Sequence, residues 1–129
     1  MKKYHDLVWA KSQEILEEWG AFMHPDGTRY TGRASILFCD EKRRLAVFYV
    51  KRMIDVTTGW TNQQDAYNIY VLRNKKVVWH NYVADDWGNR RYYSFETPKV
   101  VSATKIILPY KLGSGERGWE KGEMEIKLK

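Results

Sequence analysis

The sequence predicts a mainly β fold, an antiparallel β-sandwich of the jelly-roll type carrying one N-terminal α-helix. Three observations lead there. One early stretch has helical apolar spacing, seven later runs alternate with period two, and turn-forming residues separate those runs. With 129 residues the chain suffices for one core, so it reads as a single domain over 1–129, with a helix at about 6–23 and the sandwich at about 34–129.

In the first element, Val8, Ile15, Trp19 and Phe22 recur at near-helical spacing with Leu16 and Met23 beside them. Lys11, Glu14, Glu17 and Glu18 fall on the other side. Asp6 is placed to cap the helix, Gly20 weakens its last turn, and Pro25 requires it to have ended. His24-Pro25-Asp26-Gly27 reads as a turn, and residues 28–33 as a polar loop or weak strand. Strands are expected at 35–39, 45–54, 66–73, 77–83, 91–96, 104–109 and 122–128. In the second, Leu45, Val47, Tyr49 and Met53 alternate against Ala46, Phe48, Val50 and Ile54. In the last, Met124, Ile126 and Leu128 face one way and Glu123, Glu125 and Lys127 the other.

Connection lengths divide the surface. Residues 40–44 and 74–76 are short and charged, whereas 55–65, 84–90 and 110–121 are longer and rich in Gly, Asn, Asp and Trp. If each strand crosses the domain once, alternate connections share an end. One end then collects Lys42, Arg43, Arg44, Lys75, Lys76 and Lys99. The other collects Trp60, Trp87 and Trp119, with nearly balanced charge.

The second half of the chain resembles the later strands of a discoidin, or F5/8 type C, module with the galactose-binding-like jelly-roll fold. The residues that carry this are Ala66-Tyr67-Asn68-Ile69-Tyr70-Val71-Leu72-Arg73 followed by Val78-Trp79, then Phe95-Glu96-Thr97-Pro98. Ala103-Thr104-Lys105-Ile106-Ile107-Leu108 and Trp119-Glu120-Lys121-Gly122-Glu123-Met124-Glu125-Ile126 complete it. The chain departs from the family in opening with a helix and in having Thr104 where an Arg is usual. The resemblance implies a ligand site in the loops at one end and a structural Ca²⁺, for which Glu123 and Asp26 match family positions. Two oxygens fall well short of a calcium ligand set, so no cofactor or metal is expected from the residues themselves.

No catalytic constellation stands out. His5, His24 and His80 lie in separate contexts, Asp85-Asp86 reads as turn chemistry, and Gly113-Ser114-Gly115 as a loop tip. Cys39, the single cysteine, sits in an apolar run and reads as a buried, inert thiol. The expected function is therefore non-catalytic ligand binding. Trp60 with Asn62 and Gln63, Trp87 with Asn89 and Arg90, and Trp119 with Arg117 combine flat rings with directional donors, as a glycan or other small polar ligand requires. Trp119 is equally suited to plug the core, where Trp79 and Trp19 are expected. Of Tyr92 and Tyr93 only one can be exposed. The alternative is an accessory or inhibitor protein that binds nucleic acid or a protein partner. Lys42, Arg43, Arg44, Lys75 and Lys76 would attract phosphates, and the helix or a sheet face with Tyr67 and Tyr70 would meet a protein. No stretch resembles a signal peptide or has transmembrane length, which with the lone cysteine favours a cytoplasmic setting and no membrane partner. A mature secreted fragment stays open.

Overall fold

A computed structural model of the chain describes residues 3–19, 22–23, 29–57, 61–85, 91–116 and 118–129, with side chains described for 3–18, 32–52, 65–85, 91–116 and 118–129. Helix α1 spans Tyr4–Trp19. The strands are β1 (Phe22–Met23), β2 (Arg29–Asp40), β3 (Leu45–Thr57), β4 (Thr61–Arg73), β5 (Lys76–Ala84), β6 (Tyr92–Phe95), β7 (Lys99–Ser102), β8 (Lys105–Ser114) and β9 (Gly118–Lys127). They form two antiparallel sheets, and the expected mainly β sandwich with an N-terminal helix is what the chain adopts. Strand order in the first sheet is β1-β2-β3-β4-β5. In the second, β9 occupies one edge of β8 over its whole length, so β6 and β7 must share the other edge in tandem, opposite Tyr110–Gly113 and Lys105–Ile107. Each sheet is thus a meander, and the crossed connections of a Greek key do not appear in either strand order.

The layers follow from the apolar pattern of β3, which has two buried faces. Ala46, Phe48 and Val50 join Tyr4, Val8, Ile15, Ala34 and Leu72 in a core beneath α1. Leu45 and Val47 join Ile69, Val71, Ile106, Leu108, Ile126 and Leu128 in a second core between the sheets. The order is helix, five-stranded sheet, second sheet. A strand covered on both faces carries apolar residues at nearly every position, and β3 is buried from Leu45 to Phe48 without a break. Between the sheets, the Tyr67 ring lies 5.1 Å from that of Phe95 and 5.4 Å from that of Tyr49, both edge-on. Tyr93 stacks on Phe95 at 5.5 Å, while Tyr92, one residue away, faces outward.

The helix differs from the expectation in both its limits and its cap. It ends at Trp19, and Phe22–Met23 pairs with Arg29 and Tyr30 as a short strand. Asp6 lies within the first turn. The cap comes from the β2–β3 turn, where the Glu41 carboxylate accepts hydrogen bonds from the backbone N–H of Tyr4 (2.7 Å) and of His5 (3.0 Å). An anion on two otherwise unpaired N–H groups at the positive end of the helix satisfies both needs at once. These bonds hold the Glu41 carboxyl below its ordinary pKa. Tyr4 strengthens the junction. Its hydroxyl donates to the Leu72 carbonyl at 3.1 Å, and the Arg44 guanidinium lies 4.9 Å from its ring centre. Burial raises the Tyr4 pKa to about 12. Farther along, Leu16 packs against Gly32, and a Cβ at that position of β2 would push the Leu16 Cδ1 aside.

Two changes test this architecture. Phe48→Ala should cost about 3–5 kcal/mol, read from urea unfolding, because the ring is wholly enclosed. Glu41→Ala should lower the melting temperature near neutral pH. Because the folded-state pKa is depressed, that difference should be present above the ordinary carboxyl range and fade as pH falls through the folded value.

Candidate functional site

Three tight turns meet at one end of the sandwich. Residues 41–44 join β2 to β3, 74–75 join β4 to β5, and 103–104 join β7 to β8. Arg44 (φ 49°) and Asn74 (φ 55°) adopt the left-handed conformation that closes such turns. The Asn74 N–H donates to the Arg44 carbonyl at 2.8 Å, which ties the first turn to the second. Arg73 Nη2 donates to the Ala103 carbonyl at 2.7 Å, tying the second turn to the third. The Leu128 N–H donates to the Thr104 carbonyl at 2.7 Å and brings the C-terminal residues to the same end. The Glu41 cap places the start of α1 there as well.

This end is strongly cationic. Lys42, Arg43, Lys75 and Lys76 are exposed, and Arg44 and Arg73 are half-buried. Lys3, Lys127 and Lys129 lie beside them, also exposed. The acids nearest them are engaged: Glu125 lies 3.9 Å from Lys127 Nζ, and two more act within the first turn. Asp40 accepts hydrogen bonds from the N–H groups of Lys42 (3.0 Å) and Arg43 (3.1 Å), and Glu41 caps the helix. Nine cationic side chains against these three carboxylates and the exposed Asp6 in the first turn of α1 leave an excess of five, most of the net formal charge of +6 for the whole chain. Between the turns runs an open groove of about 540 Å³, lined by Arg43, Leu45, Arg73 and residues 100–104. The residues expected at this end therefore come together, with one exception. Lys99 starts β7, paired opposite Ile107, and lies back from the turn. Lys3, Arg73, Lys127 and Lys129 were not picked out from sequence, because only strand register shows that they converge.

The opposite end is built differently from the expectation. Most of the presumed loop at 55–65 is hairpin, with β3 and β4 paired as far as Thr57 and Thr61. The loop at 110–121 likewise becomes the paired ends of β8 and β9, out to Ser114 and Gly118. Polar residues and glycine suggested loops there, but a backbone ladder does not itself require an apolar face. Asn62 and Gln63 lie on β4 opposite Val56 and Asp55, and their side chains lie outside the described set. Trp60, Trp87, Asn89, Arg90 and Arg117 lie outside the described residues altogether. Trp119 is not a core plug: it sits on β9, 47% exposed. Trp79 packs against the core between the sheets as expected. Asp26 falls outside the described residues, Glu123 is exposed, and among the described residues no cluster of three or more His, Cys, Asp or Glu could hold a metal ion.

Other candidates resolve into structural roles. Tyr67 is buried between the sheets and Tyr70 faces α1, so they cannot share one exposed face. Burial raises the Cys39 thiol pKa, which suits an inert thiol. His80 is exposed and stacks on Tyr70 at 4.6 Å, with Asn68 as its hydrogen-bond partner. Asp85 is no ordinary turn residue. Only 3% exposed, it accepts a hydrogen bond from the Tyr93 N–H at 2.9 Å, while its own N–H donates to the Asp65 carbonyl at 2.9 Å. It thereby pins the crossover from the first sheet to the second. Lys51 lies 3.1 Å from the Asp65 carboxylate beside it.

Burial raises the Asp85 pKa to about 6, outweighing the Tyr93 hydrogen bond. A raised folded-state value means that stability is greatest when the group is protonated, below its ordinary value of 3.8, and is lost as pH rises through about 6. Asp85→Asn, which keeps the acceptor for Tyr93, should stabilise the protein at pH 8 by roughly 1–3 kcal/mol and flatten this dependence in thermal melts. Comparison with known proteins leaves the site to be read on its own terms: no family model, no curated protein and no solved structure matches the chain.

Proposed function

We propose that the protein is a non-catalytic binding module whose cationic end docks nucleic acid through the phosphate backbone. The observation that carries this reading is the gathering of nine Lys and Arg side chains at one end, with Asp40 and Glu41 beside them committed to internal hydrogen bonds. Such a surface attracts phosphates by releasing condensed counterions and does not depend on sequence. Tyr4, the aromatic residue at the junction, is buried under Arg44 and offers no stacking face to a base. The reading is therefore of backbone contact, as with a duplex, rather than the ring-and-groove recognition of single strands.

The test is fluorescence anisotropy with a short DNA duplex and an RNA duplex over a salt series. A footprint of about four to six phosphates predicts a loss of roughly 100- to 1000-fold in affinity between 50 and 200 mM salt. Reversing Lys42, Lys75 and Lys76 to Glu should weaken binding by more than about tenfold at fixed salt. Absence of binding at low salt, or binding indifferent to the reversal, would refute the reading.

A glycan reading is favoured by one observation at the other end, the exposed indole of Trp119. It places a sugar face on that ring. On that reading Trp119→Ala abolishes binding on a glycan array while leaving duplex binding intact. An array without hits removes it.

A further inference from the structure

Lys42, Lys75 and Lys76 suffice to draw a phosphate backbone to the cationic end, but the groove beside them carries a different chemistry. Its volume of about 540 Å³ is that of a small-molecule site. Arg43, Leu45 and Arg73 line it from the first sheet, and residues 100–104 from the second. Leu45 and Val100 also pack into the core between the sheets, so the groove has an apolar floor. Register adds an apolar side chain at the rim. Strand β7 pairs with β8 through Val100 and Ser102, and the bulge between them leaves Val101 without a register partner. Val101 lines the groove and is 59% exposed, the most exposed large apolar side chain among the described residues. Phosphate contact alone gives it no task.

Polar groups of two kinds surround that rim. The Arg73 guanidinium reaches the Ala103 carbonyl at 2.7 Å, which ties the two sheets together across the groove. One of its five donors is spent there, the plane of the fork is fixed, and further donors are pre-organised for a phosphate. Arg43 makes an exposed 3.7 Å contact with Asp40, which is worth little in water and leaves its head able to turn toward a ligand. Ser102 and Thr104 add two hydroxyls 3.4 Å apart, each able to donate and to accept.

We infer that this groove holds one unpaired nucleotide at the end of a duplex, with its base against Val101 and its phosphate on Arg43 and Arg73. The inference rests on the duplex reading of the cationic end and adds which part of the nucleic acid is preferred. Inside a stacked duplex both faces of every base are covered, and only edges and backbone are offered to a protein. An unpaired terminal base exposes a flat π-face, which an apolar rim can cover and on which a guanidinium plane can stack. The two hydroxyls then meet the edge of the base or its sugar. An anionic lipid would match the charge, but Leu45, Val100 and Val101 in an open groove give too little apolar surface to bury an acyl chain.

Fluorescence anisotropy of the intact chain at low, fixed salt tests this with three duplexes of equal paired length. One is blunt, one carries a two-nucleotide overhang, and one carries the same overhang built of abasic sugars. The two overhangs have equal phosphate, so a difference between them comes from the bases. The base-bearing overhang should bind about tenfold more tightly than the abasic one, at the 3′ or the 5′ end. Val101→Ser should remove most of that difference, whereas Tyr82→Ser, at a similarly exposed position on β5, should retain it. Equal affinity for the two overhangs at both ends overturns the inference and leaves the duplex reading standing. So does a preference that Val101→Ser leaves intact in a variant with wild-type melting. Absence of binding to every duplex overturns both, and capture by phosphatidylserine vesicles in that case assigns the groove to lipid.

Discussion

Burial of β3 on both faces is the constraint on which the rest of this structure depends. A strand whose every residue from Leu45 to Phe48 leaves solvent cannot lie at the surface of a two-layer sandwich. It requires a cover on each side, and the chain supplies the helix for one and the β8–β9 hairpin with its tandem partner strand for the other. The helix is then more than an appendage. Its N-terminus is capped from the turn that follows β2, and Tyr4 reaches across to the Leu72 carbonyl. Loss of the helix would expose Phe48 and Val50 together and leave Glu41 without a role.

The same arrangement concentrates charge. A meander returns alternate turns to one end, so the short turns at 41–44, 74–75 and 103–104 become neighbours whatever their sequence. Backbone-to-backbone and arginine-to-carbonyl bonds then lock them, and this fixes the spacing of the lysines they present. Arg44 and Arg73 serve partly as structural groups, one over the Tyr4 ring and one on the Ala103 carbonyl. Lys42, Lys75 and Lys76 remain exposed and are the side chains on which the binding proposal turns.

Much of this was legible in the sequence. The period-two runs located seven of the nine described strands, and the alternation of two apolar sets in 45–54 already carried the two-faced burial of β3. The end-parity argument placed the basic turns together correctly, because β6 and β7 run in tandem and count as one crossing. What was not legible had physical reasons. Residues 55–57 and 61–65 pair as strand although their sequence is largely polar, since a backbone ladder does not itself require an apolar face. The helix cap came from Glu41, 37 positions away from Tyr4, beyond any local pattern. Asp85 looked like a turn residue because burial of a carboxylate is a property of the fold and not of its neighbours. Trp119 was equally suited to either face, and register alone decided it.

The surface of this protein is two-ended, and the proposed phosphate recognition belongs to the end where the tight turns meet. Backbone amide chemical shifts recorded during titration with a nucleic-acid duplex test that assignment most directly. The shifts should concentrate at 41–44, 73–76, 103–104 and 127–129 and leave Trp119 and its neighbours unmoved. Shifts centred on β9 around Trp119, or an unperturbed spectrum at low salt, would contradict it.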